Sequence, residues 1–342
     1  MYTMNEQLSK RFNALRTIFI ILVVYIHSAV LPLLSFDIQV PNYVLTLKRI
    51  MGNEVGIGTI AVPGFYFISA FLLFSKETSW IANIRKKTPR LILPFISINL
   101  FWILLFKLFQ HIPLTSHLFM SEQYCVTTIL DWFKALLSWE PMYYPFWFLW
   151  FLIAYNVLFP FFRFLIKKVP ILFLIFILLI GFNIFQIPYF RLDNFVFFIL
   201  GGYFSIYKVD INILDRIPTF LVFSLFTFFI IVELLYNIPY ILIFEMISGL
   251  ILAFRLSLYI YNCKCILTLS RYSFFIYCTH EFYEAIIKKI IMTVLPQYGI
   301  IQLLEFCLLP LFIILGCMVV GIIIDKRINI SFLRYALGMP QK

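Results

Sequence analysis

The chain is divided into apolar runs, each about as long as a bilayer is thick, with short polar gaps between them. An α-helix rises about 1.5 Å per residue, so about 20 apolar residues cross a hydrocarbon core of ~30 Å. Residues 17–34 form the first such run, and they include no Lys, Arg, Asp or Glu. This run is longer than the apolar core of a usual signal peptide, which predicts an uncleaved first transmembrane helix.

Composition agrees with a lipid environment for most side chains. Hydrophobic residues make up 63% of the 342 residues and charged residues 13%, against about 25% charged in a typical soluble domain. We therefore predict an all-α, polytopic integral membrane protein with about ten spanning helices and a single membrane domain over residues 1–342. The predicted spans are 14–35, 54–74, 90–110, 145–166, 169–189, 191–207, 216–236, 239–261, 266–287 and 301–324.

The positive charges indicate an orientation. The net charge is +11, and most Lys and Arg residues fall in gaps that alternate sides with the predicted spans. This bias predicts both termini in the cytoplasm and an even helix count, and it removes the reason to expect a nucleic-acid partner. Cys263 and Cys265 are the only closely spaced cysteines and lack a second pair, so we predict no metal site.

Ionisable side chains within the spans are the first candidates for function, because burying them in lipid costs at least about 2.5 kcal/mol at mid-depth. His27 follows Arg16 by eleven positions, which places the two about 20° apart around one helix. A histidine there can exchange a proton near neutral pH. A packed histidine hydrogen-bonded to a neighbouring helix explains the same position equally well.

Other polar residues and segments also lead to predictions, and the basic cluster before the third span has two interpretations. The basic residues Arg85, Lys86, Lys87 and Arg90 precede Leu91 and Pro94, near which we expect the third helix to begin, and they suit either phosphate binding or the positive-inside rule. Glu245 and Arg255 are too far apart on one helix to pair, so each needs a partner elsewhere. The connection 111–144 is the longest polar one, and we expect it to hold a short interfacial helix.

Six segments, in order along the chain, carry a family resemblance: residues 13–16 with His27, 62–72, 87–91 with Pro94, 147–149, 200–203 and 270–280. Together they resemble the acyltransferase-3 family of bacterial membrane acyltransferases. Asn13, Lys87 and Ala70 stand where that family usually has Asp, Arg and Gly.

The resemblance implies transfer of an acyl group, most often acetyl from acetyl-CoA, to a hydroxyl of a surface carbohydrate or glycolipid. It implies a multi-pass protein of the bacterial inner membrane with no bound cofactor and acyl-CoA as donor substrate. His27 would be the catalytic base or acyl carrier, and Arg16, Lys87 and Arg90 would contact the donor. Groove candidates are Asn13, Ser69, Trp147, Tyr277, His280 and Glu281.

Two alternatives stay open. A polysaccharide exporter would use Glu233, Glu245 and Glu305 for proton coupling. A catalytically silent scaffold of a glycan assembly system would fit the departures at Asn13 and Lys87. The sequence leaves open the acceptor, the acyl group, the face of the membrane at which transfer occurs, and whether the chain forms a homo-oligomer or binds glycan assembly partners.

Overall fold

The computed structural model describes residues 6–28, 41–52, 55–76, 79–112, 126–182, 192–294, 299–328 and 330–340. Among them no β-strand occurs, and the predicted all-α class is confirmed. The α-helices are α1 Glu6–Ser28, α2 Asn42–Met51, α3 Ala61–Phe74, α4 Trp80–His111, α5 Ile129–Leu137, α6 Trp147–Lys168, α7 Pro170–Gly181, α8 Leu192–Ile206, α9 Thr219–Tyr236, α10 Leu242–Ile260, α11 Lys264–Val294, α12 Gly299–Arg327 and α13 Ser331–Ala336.

Within the described residues, seven helical segments are long and apolar enough to cross a membrane: α1, α3 with the preceding 3-10 turn, α4, α6, α9, α10 and α12. All ten predicted spans overlap a helix, but three fall short of this criterion. α7 and α8 are short, and α11 carries charged residues such as Arg271 and Glu284. The protein is thus a polytopic helical membrane protein, while the count of ten and the orientation stay predictions.

The chain forms two compact units, residues 1–77 with 161–320 and residues 78–160 with 321–342. In the first unit, α1 packs against α3, α10 and α11, and α3 packs along α8. Aromatic rings fill these contacts, with Phe12 edge-on to Phe71 at 5.2 Å and Phe19 edge-on to Phe65 at 5.6 Å. Gly64 makes room for the Phe19 ring, which a Cβ atom at that position would meet at 2.2 Å.

In the second unit, α4 packs against α5 and α13. The Ser97 hydroxyl donates to the Ala336 carbonyl at 2.6 Å, and Arg334 pairs with Asp325 at 2.5 Å. α5 is the short helix predicted in the connection 111–144, of which residues 113–125 lie outside the described residues. Thr128 and Asp131 form a capping box at its start, which satisfies backbone N–H groups that a helix end leaves without partners.

One predicted boundary is wrong. The third span was expected to begin near residue 90, after the basic residues, but α4 begins at Trp80 and carries Arg85, Lys87 and Arg90 within it. The Ser79 side chain caps the helix by accepting from the Ala82 N–H at 3.3 Å. Lys and Arg are good helix formers, and the helix continues through Pro89 and Pro94. The prediction took the prolines as a sign of the helix start, but they lie inside the helix, so the predicted start came about ten residues too late.

Candidate functional site

The central contact of the site joins the last turn of α1 to the middle of α11. The Nδ1 atom of His27 lies 3.0 Å from Oε1 of Glu281, and their side chains are 18% and 26% exposed. Both groups are therefore mostly enclosed while keeping an accessible edge. The two residues are distant in the sequence and meet because α1 and α11 pack side by side.

His280 completes the cluster from the same helix as Glu281. Its side chain is fully buried, and its ring lies edge-on to the His27 ring with 5.0 Å between centroids. The Nδ1 atom of His280 faces the carbonyl oxygens of Ile276 at 3.1 Å and Tyr277 at 2.9 Å. The Tyr277 ring stacks on the same imidazole at 6.4 Å. Three predicted residues, His27, His280 and Glu281, are thus brought together, with Tyr277 beside them.

These contacts select a protonation pattern for the two imidazoles. A carboxylate and a backbone carbonyl are both acceptors, so each facing Nδ1 atom carries the proton and donates. When such a ring is neutral, its lone pair lies on Nε2. A histidine whose Nδ1–H is held by a carboxylate is oriented to accept a proton at Nε2, and the carboxylate stabilises the cation that forms. His27 with Glu281 has the geometry of a general base with its orienting acid.

Arg16 lies on the same helix as His27 but outside the cluster, because eleven residues correspond to a rise of about 16 Å. Its Nη1 atom donates to Oδ1 of Asn13 at 3.2 Å. In the described part of the chain no carboxylate pairs with this guanidinium. Asn13 therefore positions the arginine without neutralising its charge.

The remaining predicted site residues are not brought into the cluster by any described contact. Ser69 lies in α3, half-buried. The other three belong to the second unit: Lys87 is partly buried and Arg90 exposed on α4, with the Arg90 guanidinium 5.6 Å from the Tyr335 ring. Trp147 begins α6, and its ring contacts those of Phe148 and Phe151.

Sequence reasoning missed the role of Arg11, which it counted only as a charge that sets orientation. Its side chain is 0% exposed, and its guanidinium donates to both oxygens of Asp215 at 2.7 and 2.8 Å. Further bonds reach Asn212, Ser257 and the Phe254 carbonyl. A signal was present, because Arg11 lies within the buried stripe that Leu8, Phe12 and Leu15 form at helical spacing.

The charged residues Glu245 and Arg255 on α10 find partners elsewhere, as their spacing required. Oε1 of Glu245 accepts from the Gly56 N–H at 2.7 Å and from the Thr59 hydroxyl at 2.9 Å. Arg255 donates to the Thr219 hydroxyl at 3.0 Å and to the Asp215 carbonyl. These contacts fix the chain before α3 and α9, so both charges have a structural use.

An apolar cavity of about 200 Å³ lies among α1, α3, α8 and α10 in the first unit. Its walls include Leu15, Phe67, Leu200, Ile251 and Phe254. A cavity with such walls suits hydrocarbon rather than phosphate or sugar, because burying a polar group without a hydrogen bond costs free energy.

The fold and cluster define a class of protein: a polytopic helical membrane protein with a paired histidine and carboxylate between two of its helices. The acyltransferase-3 family model, described as an acyltransferase domain, matches residues 9–324. The chain belongs to this family and is a membrane acyltransferase. No curated protein and no solved structure gives a significant match to the chain.

Proposed function

We propose that the protein transfers an acetyl group from acetyl-CoA to a hydroxyl of a surface carbohydrate or glycolipid at the bacterial inner membrane. The observation that carries this proposal is the contact of 3.0 Å between His27 Nδ1 and Glu281 Oε1. Acyl transfer to an alcohol needs a base for the hydroxyl proton, and an imidazole oriented by a carboxylate is such a base.

In this mechanism Nε2 of His27 accepts the acceptor's hydroxyl proton as the oxygen attacks the thioester carbonyl. Glu281 holds the other ring nitrogen and stabilises the imidazolium that results. The thioester C–S bond breaks, and the imidazolium returns the proton to the departing CoA thiolate. His280 packs against His27 and limits the motion of its ring.

Donor binding is a separate part of the proposal. Coenzyme A carries phosphates, and guanidinium and ammonium groups are the usual partners of phosphates. Arg16 supports this role because no carboxylate among the described residues neutralises it, and Arg90 supports it by being exposed on α4. Lys87 lies one turn before Arg90. Arg16, in the first compact unit, and Lys87 and Arg90, in the second, are each proposed as a contact for a CoA phosphate.

The test is incorporation of labelled acetyl from acetyl-CoA into glycan or glycolipid by membranes that carry the protein. His27→Ala at equal expression should reduce incorporation to the level of empty membranes. Glu233→Gln is the control, since Glu233 is a buried ionisable residue of the predicted span α9 and lies outside the His27 contacts; it should leave transfer intact. Full incorporation with His27→Ala would refute the proposed base.

The labelling assay and a separate measurement of glycan export, run on the same variants, distinguish the enzyme from the exporter. Glycan export that needs Glu233 or Glu245 but not His27, without label above empty membranes, would favour export. Label that depends on His27 and is unaffected by Glu233→Gln would favour the transferase.

A further inference from the structure

Two imidazoles and one carboxylate converge at a single point of the fold. His27, His280 and Glu281 each offer one ligand atom, and these atoms all lie within 4.8 Å of one another. The three residues come from only two helices, and His280 and Glu281 are consecutive on α11. A cluster of this kind is a candidate cation site as well as a candidate base.

The donor set favours one class of ion. Imidazole nitrogen with one carboxylate oxygen is the ligand set of Zn²⁺ sites that keep an open fourth position. Mg²⁺ and Ca²⁺ prefer several oxygen ligands, which this cluster does not supply. Zinc–ligand bonds of about 2.0–2.1 Å place tetrahedral ligands roughly 3.3 Å apart, so small rotations of the side chains would complete the coordination.

The contacts of His280 orient its Nε2 atom as a metal ligand. Its Nδ1 faces the Ile276 and Tyr277 carbonyls, which directs the lone pair to Nε2. Metal-binding histidines almost always donate their other ring nitrogen to such an acceptor. The fully buried ring is held by α11, whereas His27 and Glu281 at 18% and 26% exposure leave a path for an ion.

We propose that His27, His280 and Glu281 bind a single Zn²⁺ ion, and that the bound ion inhibits acyl transfer. The binding site stands on the geometry alone, whereas the inhibition rests on the proposed function. A neutral imidazole has a single ring-nitrogen lone pair, and once that lone pair coordinates a metal neither ring nitrogen can accept a proton, so Zn²⁺ and the substrate proton compete for His27.

The first experiment measures metal binding without activity. The full chain is purified in detergent with a tag that contains no histidine, in a background of Cys263→Ser and Cys265→Ser, because both cysteines are exposed thiols that bind metals. Co²⁺ serves as the spectroscopic probe. We expect visible absorption typical of tetrahedral Co²⁺, saturating at one ion per chain and abolished by added Zn²⁺.

Conservative variants then locate the site. His280→Gln and Glu281→Gln should each weaken Co²⁺ binding at least tenfold, whereas His111→Ala, at an exposed histidine outside the cluster, should leave it unchanged. Thermal unfolding of each variant without metal establishes that it is folded. No tetrahedral absorption with the unsubstituted cluster, or Co²⁺ binding by both cluster variants as tight as that of the unsubstituted protein, would overturn the site.

The second experiment adds Zn²⁺ to the labelled acetyl transfer assay. Micromolar Zn²⁺ should inhibit transfer, and a chelator should restore it. Co²⁺ binding at the cluster with no transfer under any condition would keep the site and refute the proposed function. Transfer that depends on His27 without Co²⁺ binding would keep the function and refute the site.

Discussion

Arg11 and Asp215 form a two-bond ion pair that ties α1 to the 3-10 turn Ile211–Arg216 before α9. The Arg11 side chain is fully buried, while the Asp215 side chain is 25% exposed. The guanidinium also stacks on the Phe254 ring at 3.6 Å. Five hydrogen bonds within the protein therefore occupy the guanidinium donors of Arg11. Arg11 stabilises the fold and, unlike Arg16, is not a candidate for ligand binding.

Removing the carboxylate should destabilise the protein. Asp215→Ala leaves a buried guanidinium without its counter-charge, which typically costs about 3 kcal/mol or more. We expect a clearly lower thermal midpoint in detergent. Glu6→Ala is the control, because the pair of Glu6 with Lys10 is exposed and should contribute little. Equal midpoints for the two variants would contradict this role of the ion pair.

Glu281 should matter for turnover more than for donor binding. Glu281→Gln keeps the size of the side chain but removes the charge that stabilises the His27 imidazolium. We expect kcat to fall by about 10²–10⁴-fold with little change in KM for acetyl-CoA. Steady-state kinetics of labelled transfer measure both constants. A rise in KM alone would place Glu281 in donor binding instead.

Close packing of α3 against α8 should be sensitive to one added methyl group. A Cβ atom at Gly201 would lie 2.3 Å from the carbonyl oxygen of Phe67, so α8 must shift to accept it. Gly201→Ala should destabilise the protein by about 1–3 kcal/mol. Gly316→Ala is the matched control, because the nearest atom to its Cβ is 3.9 Å away and alanine favours a helix. Thermal unfolding in detergent compares them.

The cap of α5 should respond to acid. Hydrogen bonds donated by Thr128 and Thr127 lower the pKa of Asp131 from its usual 3.8 to about 2. The carboxylate therefore stabilises the folded cap above pH 3.8, and this contribution is lost as the pH falls through about 2. NMR titration of a carboxyl-labelled sample should show the low pKa, and Thr128→Ala should raise it. An ordinary pKa in the unsubstituted protein would argue against the capping box.

The sequence by itself determined the class of the protein. Apolar runs about 20 residues long permit only helices in lipid, and the fold class follows without any knowledge of contacts. His27 was also identifiable, because its place in an apolar run and its spacing from Arg16 depend on a single helix. The family segments lie at positions that a linear sequence displays directly, and the family is confirmed.

Only the tertiary structure decided what these residues contact. Glu281 was one of several carboxylates in the sequence, and the packing of α11 on α1 selected it as the partner of His27. Packing between helices also paired Arg11 with Asp215, which makes it a structural residue, whereas no carboxylate among the described residues pairs with Arg16. Contacts between helices depend on how side-chain surfaces fit together over distant parts of the chain, and helical periodicity specifies which face a residue lies on but not which helix that face meets.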